Sequence, residues 1–228
     1  METNVFIQAM QHPSPLFRDR THAGTELANH LLKYSSADNT YIFALVRGGV
    51  IVGRAVADRL NLPLHPCIVR KINHPTHREF GLGAISGEGA MYLDEMTMSD
   101  HGFRRDHLEP IIQQERVEFD HRRTLFAADK NPNVEGATVL LVDDGAATGI
   151  SMMAAIADIH AKKANKVVVC LPVCAPDLIP AFEHEVSKVI CCSAPSPLNS
   201  VSEWYESFPQ VSNDEALAFL HANVMPQS

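Results

Sequence analysis

The sequence predicts an α/β domain with a central, mostly parallel sheet flanked by helices. Three observations carry this. Apolar segments of strand length alternate along the chain with segments of helical period. The strands near 137–142, 166–172 and 187–192 are apolar throughout, the pattern of strands buried on both faces. Several of them run directly into small or charged residues and then a helix, the junction where open parallel sheets place ligands. The 228 residues fit a single domain, long enough to bury a core without disulfides.

Taken in order, residues 19–34 form a helix, because Ala23, Leu27 and Leu31 share a face with Ala28 and Leu32. Residues 41–46 are a strand ending at Arg47-Gly48-Gly49, and 50–60 a helix with Val52, Val56 and Leu60 four apart. A strand over 64–69 contains Pro66, which points to a sheet edge. Residues 70–83 are polar, basic and aperiodic, and read as a long mobile loop. A hairpin follows around Ser86-Gly87-Glu88-Gly89, then a long charged helix over 103–128. The second half is predicted as strand 137–142, helix 150–161, strand 166–172, short helix 176–184, strand 187–192 and a closing helix 213–224.

Nineteen Lys and Arg against 27 Asp and Glu give a net charge of −8. Such a balance disfavours nucleic acid, whose affinity rests on neutralised phosphates. Basic residues do cluster at Arg70-Lys71, at Arg104-Arg105 and between Arg116 and Arg123. No apolar run approaches the roughly 20 residues of a membrane span. The first residues show no export signal, so a cytoplasmic location is expected. The five cysteines form no CxxC pair and read as small buried side chains rather than a metal or disulfide framework.

The segment Val139-Leu-Leu-Val-Asp143-Asp144-Gly-Ala-Ala-Thr148-Gly149-Ile-Ser151 carries the most specific chemistry. An apolar strand delivers two carboxylates at its end. A loop of small residues then lets backbone N–H groups approach an anion. Thr148 and Ser151 offer hydroxyls, and the following helix directs its positive end to the same place. Carboxylates beside a phosphate cradle suit a ligand with a diol next to a phosphate, as in ribose 5-phosphate. Adjacent acids at the mouth of a buried strand repel each other unless a cation or hydroxyl donors satisfy them, so a purely structural role is disfavoured.

This segment resembles the 5-phosphoribosyl-1-pyrophosphate (PRPP) motif of the type I phosphoribosyltransferase superfamily. The wider sequence, from Leu16-Phe17-Arg18-Asp19-Arg20 to Trp204-Tyr205-Glu206-Ser207-Phe208, resembles a bacterial branch of it. The resemblance implies that Asp143 and Asp144 hold the ribose hydroxyls. It implies that Ala146, Ala147, Thr148, Gly149, Ile150 and Ser151 bind the 5-phosphate. Arg47, Gly48 and Gly49 match the family's pyrophosphate loop. Relatives often carry proline before that basic residue, and Val46 departs from the pattern, leaving the peptide conformation open. Residues 70–83 match the flexible catalytic loop, with Arg70, Lys71 and Arg78 placed to neutralise the leaving group and exclude water.

The implied activity is PRPP-dependent transfer of ribose 5-phosphate to a nitrogenous acceptor, with release of pyrophosphate and Mg²⁺ bridging substrate oxygens; no residue is assigned as a direct metal ligand. The alternative is a non-catalytic regulatory protein that binds PRPP or a nucleotide on the same fold. Ala147 stands where 6-oxopurine-specific relatives carry Asp, which argues against hypoxanthine or guanine as acceptor. A small variable hood is expected from about 1–20 and 172–228, with Trp204 and Tyr205 as candidate acceptor-pocket residues. Trp204 also suits a role in covering the sheet end. Dimers are common in the family, and a homodimer is the expectation.

Overall fold

The computed structural model describes residues 5–7, 16–77, 81–87 and 90–222. The first third contains β1 (Val5–Ile7), α1 (Arg20–Asn29), β2 (Thr40–Leu45), α2 (Gly48–Leu60) and β3 (Leu64–Cys67). There follow β4 (Val69–Asn73), β5 (Gly81–Ser86), β6 (Ala90–Leu93), α3 (Glu95–Asp100) and α4 (Arg105–Leu125). The last part contains β7 (Thr138–Val142), α5 (Ile150–Ala161), β8 (Lys166–Val173), α6 (Ile179–Glu185), β9 (Lys188–Ser193) and α7 (Asn213–His221).

The central sheet has the order β1-β9-β8-β7-β2-β3, and every neighbouring pair is parallel. The uninterrupted apolar strands are explained by this burial: Val139, Leu140, Leu141 and Val142 of β7 are fully enclosed. Alternate side chains enter two cores. One lies beneath α5 and α6, the other beneath α1 and α2. Pro66 sits on β3 at the sheet edge, where its missing N–H costs no ladder bond. From β2 the chain moves outward to β3, then returns on the other side of β2 as β7 and continues outward to β8 and β9. The winding therefore reverses between β2 and β7, and such a switch opens a crevice at the strands' carboxyl ends.

A second sheet, β4-β5-β6, is antiparallel. It packs against α4 through a third core containing Ile72, Leu82, Ile85, Leu108, Ile112 and Phe119. This corrects the reading of 70–83 as one long loop: residues 69–73 and 81–86 pair as strands, although the basic residues and glycines mask the pattern. Arg78 and Glu88 lie outside the described residues, as does the end of the closing helix at 224. Sequence reading also missed α3, although Asp94 caps it by accepting from the Thr97 N–H at 3.0 Å. Of the segments assigned to the hood, 5–7, 172–173 and 188–193 are instead parts of central-sheet strands. Residues 16–18 run beside 204–207, with Glu206 and Ser207 N–H groups donating to the Phe17 and Arg18 carbonyls.

Candidate functional site

The site forms where β2 and β7 end. Hydrophobic burial brings β7 to the sheet centre, so its next two residues, Asp143 and Asp144, emerge at the switch point. The Asp144 N–H donates to Asp143 Oδ1 at 2.9 Å. Burial, and then the charge of Asp144, pushes the Asp143 carboxyl well above its ordinary range, with Lys71 and Arg20 opposing the shift. Burial also raises Asp144, against the pull of Arg20.

Arg20 opens α1 and reaches across 124 residues of sequence to donate from Nε to Asp144 Oδ2 at 2.7 Å. Its Nη1 donates to the Pro209 carbonyl at 2.8 Å, and its guanidinium lies 3.6 Å from the Phe208 ring centroid. The side-chain exposures are 7% for Arg20 and 16% for Asp144, so the pair is only partly screened by water. Tyr205 completes this support: its hydroxyl donates to the Asp144 carbonyl at 2.6 Å.

The two predicted loops meet at the acids. A Cβ on Gly48 would lie 2.0 Å from Asp144 Oδ2, and one on Gly49 would lie 2.8 Å from Asp143 Oδ1. Only glycine permits this approach, which sets the start of α2 against the carboxylates. The Val46–Arg47 peptide, left open by the sequence, is cis. On the other side, the segment from Gly145 to Gly149 leads into α5. Ala146 bridges to Cys174, and Gly149 caps the helix at φ +73°. Thr148 is exposed at the head of α5, with Ala147 and Ser151 partly exposed beside it. The positive end of α5 and the exposed Thr148 thus meet at this loop, a suitable seat for a phosphate.

The remaining predicted residues divide. Lys71 is close enough to lower the Asp143 carboxyl. Arg70, its neighbour on β4, faces the opposite way and is held by Glu115 of α4, its Nε donating at 2.8 Å. The structure therefore brings Lys71, but not Arg70, to the acids. Tyr205 does not form an open acceptor wall. It is 5% exposed, lies between the Phe17 and Phe208 rings, and commits its hydroxyl to the backbone. Trp204 is partly buried against the core beneath α1 and α2.

Sequence reasoning did not assign a role to Arg20, to Tyr205 as a buttress, or to Arg122. A cavity of about 410 Å³ beside the site is lined by Arg20, Arg47 and Arg122, with Val46, Gly48 and the 208–211 segment. A larger cavity of about 530 Å³ lies on the α5 face near Cys67 and Asp158. Asp158 there is already bridged by Lys162 at 2.8 Å, and the two acids do not line that cavity.

A parallel sheet with an acid pair and small-residue loop at its switch point, faced by a glycine-led helix, defines a type I phosphoribosyltransferase-like protein. Residues 19–206 match the phosphoribosyl transferase domain family, and the chain belongs to it. It is 32% identical over 207 residues to the Mycobacterium tuberculosis protein named "Putative phosphoribosyl transferase Rv0571c". That match covers 90% of this chain and 46% of the relative, so the chain spans about half the relative's length. The crystal structure of TT1426 from Thermus thermophilus is similar at 31% identity and a TM-score of 0.73, covering 90% of this chain and 97% of that one. No helix among the described residues is long and apolar enough to cross a membrane.

Proposed function

We propose that this chain binds PRPP in the crevice between β2 and β7 and transfers its ribose 5-phosphate to a nitrogenous acceptor. The observation that carries this reading is the convergence of Asp143 and Asp144 with Gly48 and Gly49, beside the loop that opens α5. Residues 146–151 seat the 5-phosphate, and the acids take the ribose hydroxyls. A hydroxyl donor gives each carboxylate a partner that bulk water cannot fully supply in this pocket.

In the transfer, the bond between the anomeric carbon and the pyrophosphate oxygen breaks. A C–N bond to the acceptor forms, and the acceptor nitrogen gives up its proton. Positive charge grows on the ribose and negative charge on the departing pyrophosphate. Asp143 and Asp144 lie on the ribose side and favour the first; Arg47 and Lys71 favour the second. The paired carboxylates and the ligand's own oxygens are hard donors that suit Mg²⁺, which when bound neutralises charge on the pyrophosphate. The acids would hold it through the ribose hydroxyls.

Calorimetric titration with PRPP and Mg²⁺ tests the reading. Two charge-assisted hydrogen bonds at about 1.5–3 kcal/mol each imply at least a hundredfold loss of affinity in Asp143→Ala/Asp144→Ala. The same loss is expected in the shape-keeping Asp143→Asn/Asp144→Asn pair. A folded wild-type protein that does not take up PRPP would sink the reading.

A further inference from the structure

We propose that Arg122, from α4, is a pyrophosphate-holding residue that works with Arg47; this rests on the PRPP reading above. The cavity beside the acids brings Arg20, Arg47 and Arg122 to one opening from three distant stretches of sequence. Their positions differ in what they have left to offer. Arg20 is committed to Asp144, the Pro209 carbonyl and the Phe208 ring. Arg70, close enough to act on Arg122, is committed to Glu115. Among the described residues, the arginine ion pairs involve Arg20, Arg54, Arg70 and Arg104, and neither Arg47 nor Arg122.

Arg122 is partly buried in this like-charged company. Burial, and then Arg70 and Arg47, lower its proton affinity, while Glu118 and Glu115 partly offset them. A guanidinium does not deprotonate in proteins, so the cluster stays cationic and is relieved by a bound anion rather than by proton loss. The cavity adjoins Gly48, and through it Asp144, so an anion there sits beside the ribose position. Two guanidinium forks suit the several oxygens of a pyrophosphate better than a single carboxylate. Helix α4 therefore contributes a wall to the site, where the sequence showed only a charged helix.

The test uses the full chain, with inorganic pyrophosphate plus Mg²⁺ and ribose 5-phosphate titrated separately. Wild type is expected to bind both. Arg122→Gln should weaken pyrophosphate about ten- to a hundredfold, the worth of one charge-assisted contact, and leave ribose 5-phosphate within about twofold. Arg122→Lys should fall between, because it keeps the charge and loses the fork. Arg123→Gln is the control, since that side chain lines the separate cavity on the α5 face. The melting temperature of ligand-free Arg122→Gln should not fall, as the substitution relieves repulsion. The proposal is overturned if Arg122→Gln binds pyrophosphate like wild type, or if it loses both ligands together with thermal stability. Wild type that binds ribose 5-phosphate without pyrophosphate would remove this pocket and leave the acid and phosphate-loop assignments standing. Wild type that binds neither would end both.

Discussion

Substituting Gly48 by Ala probes the contact on which the site geometry depends. The added methyl would lie 2.0 Å from Asp144 Oδ2, 2.9 Å from its Cγ and 3.0 Å from Arg20 Nε. Asp144 would have to rotate, but Oδ2 is the atom that accepts from Arg20 at 2.7 Å. The buried pair would then open, leaving a guanidinium at 7% exposure without its carboxylate. Breaking a buried pair costs about 3–5 kcal/mol. Asp144 regains some water, and Ala gains roughly 0.5–1 kcal/mol over Gly in a helix, so a net loss of about 2–3 kcal/mol is expected. At about 2–4 °C per kcal/mol for a chain of this size, the melting temperature should fall by about 4–12 °C. Scanning calorimetry, run with a PRPP titration, measures both the fall and an accompanying loss of affinity. Gly102→Ala is the comparison: its φ is +71° with no atom within 4 Å of the new methyl, so it should cost about 1 kcal/mol and spare the ligand. A Gly48→Ala protein that melts within about 1 °C of wild type and binds PRPP unchanged would refute the proposed pinning of Asp144 by Arg20.

Two further perturbations follow from the same geometry. A carboxyl raised in the folded state favours folding fully below its ordinary value of 3.8, and that contribution is lost as pH rises through the raised value. Asp143→Asn should therefore raise the melting temperature of the ligand-free protein at neutral pH, by about 2–4 °C for each kcal/mol relieved, and flatten its decline above 3.8; a lower melting temperature at neutral pH would contradict this. Tyr205→Phe removes the 2.6 Å bond to the Asp144 carbonyl, which should cost about 1–3 kcal/mol. A thermal melt checks it, and unchanged stability would show that the hydroxyl does not support the acidic loop.

What the sequence made legible was contiguous. Strands β7, β8 and β9 announce double burial by unbroken apolar runs, and Asp143 to Ser151 lies within a single strand–loop–helix passage. Arg20 and Tyr205 reach Asp144 from 124 and 61 residues away, so nothing local distinguishes them from other surface-type side chains. Arg122 sits within a basic stretch that reads as the solvated face of a helix. The second sheet was hidden for another reason. Strand β4 has a register irregularity between Ile72 and Asn73, which breaks its alternation. In β5, Gly83 resembles a loop residue, yet a Cβ there would lie 2.4 Å from the Tyr92 carbonyl oxygen. Glycine marks close strand approach at that point rather than a turn.

The crevice also explains why these local rules are broken together. Two adjacent carboxylates at the end of β7 are pushed toward protonation by burial, and Arg122 is crowded by Arg70 and Arg47 a short distance away. Neither arrangement favours the ligand-free fold, and the two do not neutralise each other: Asp144 takes its charge partner from Arg20, and among the described residues Arg47 and Arg122 are in no ion pair. A ligand with hydroxyls at one end and a polyanion at the other supplies what each cluster lacks. Sequences that otherwise agree with their fold tend to depart from it where a site is prepared for a ligand. On the reading proposed here, the opposed acid and arginine clusters are two halves of one such site, and PRPP carries both complementary groups on a single ribose.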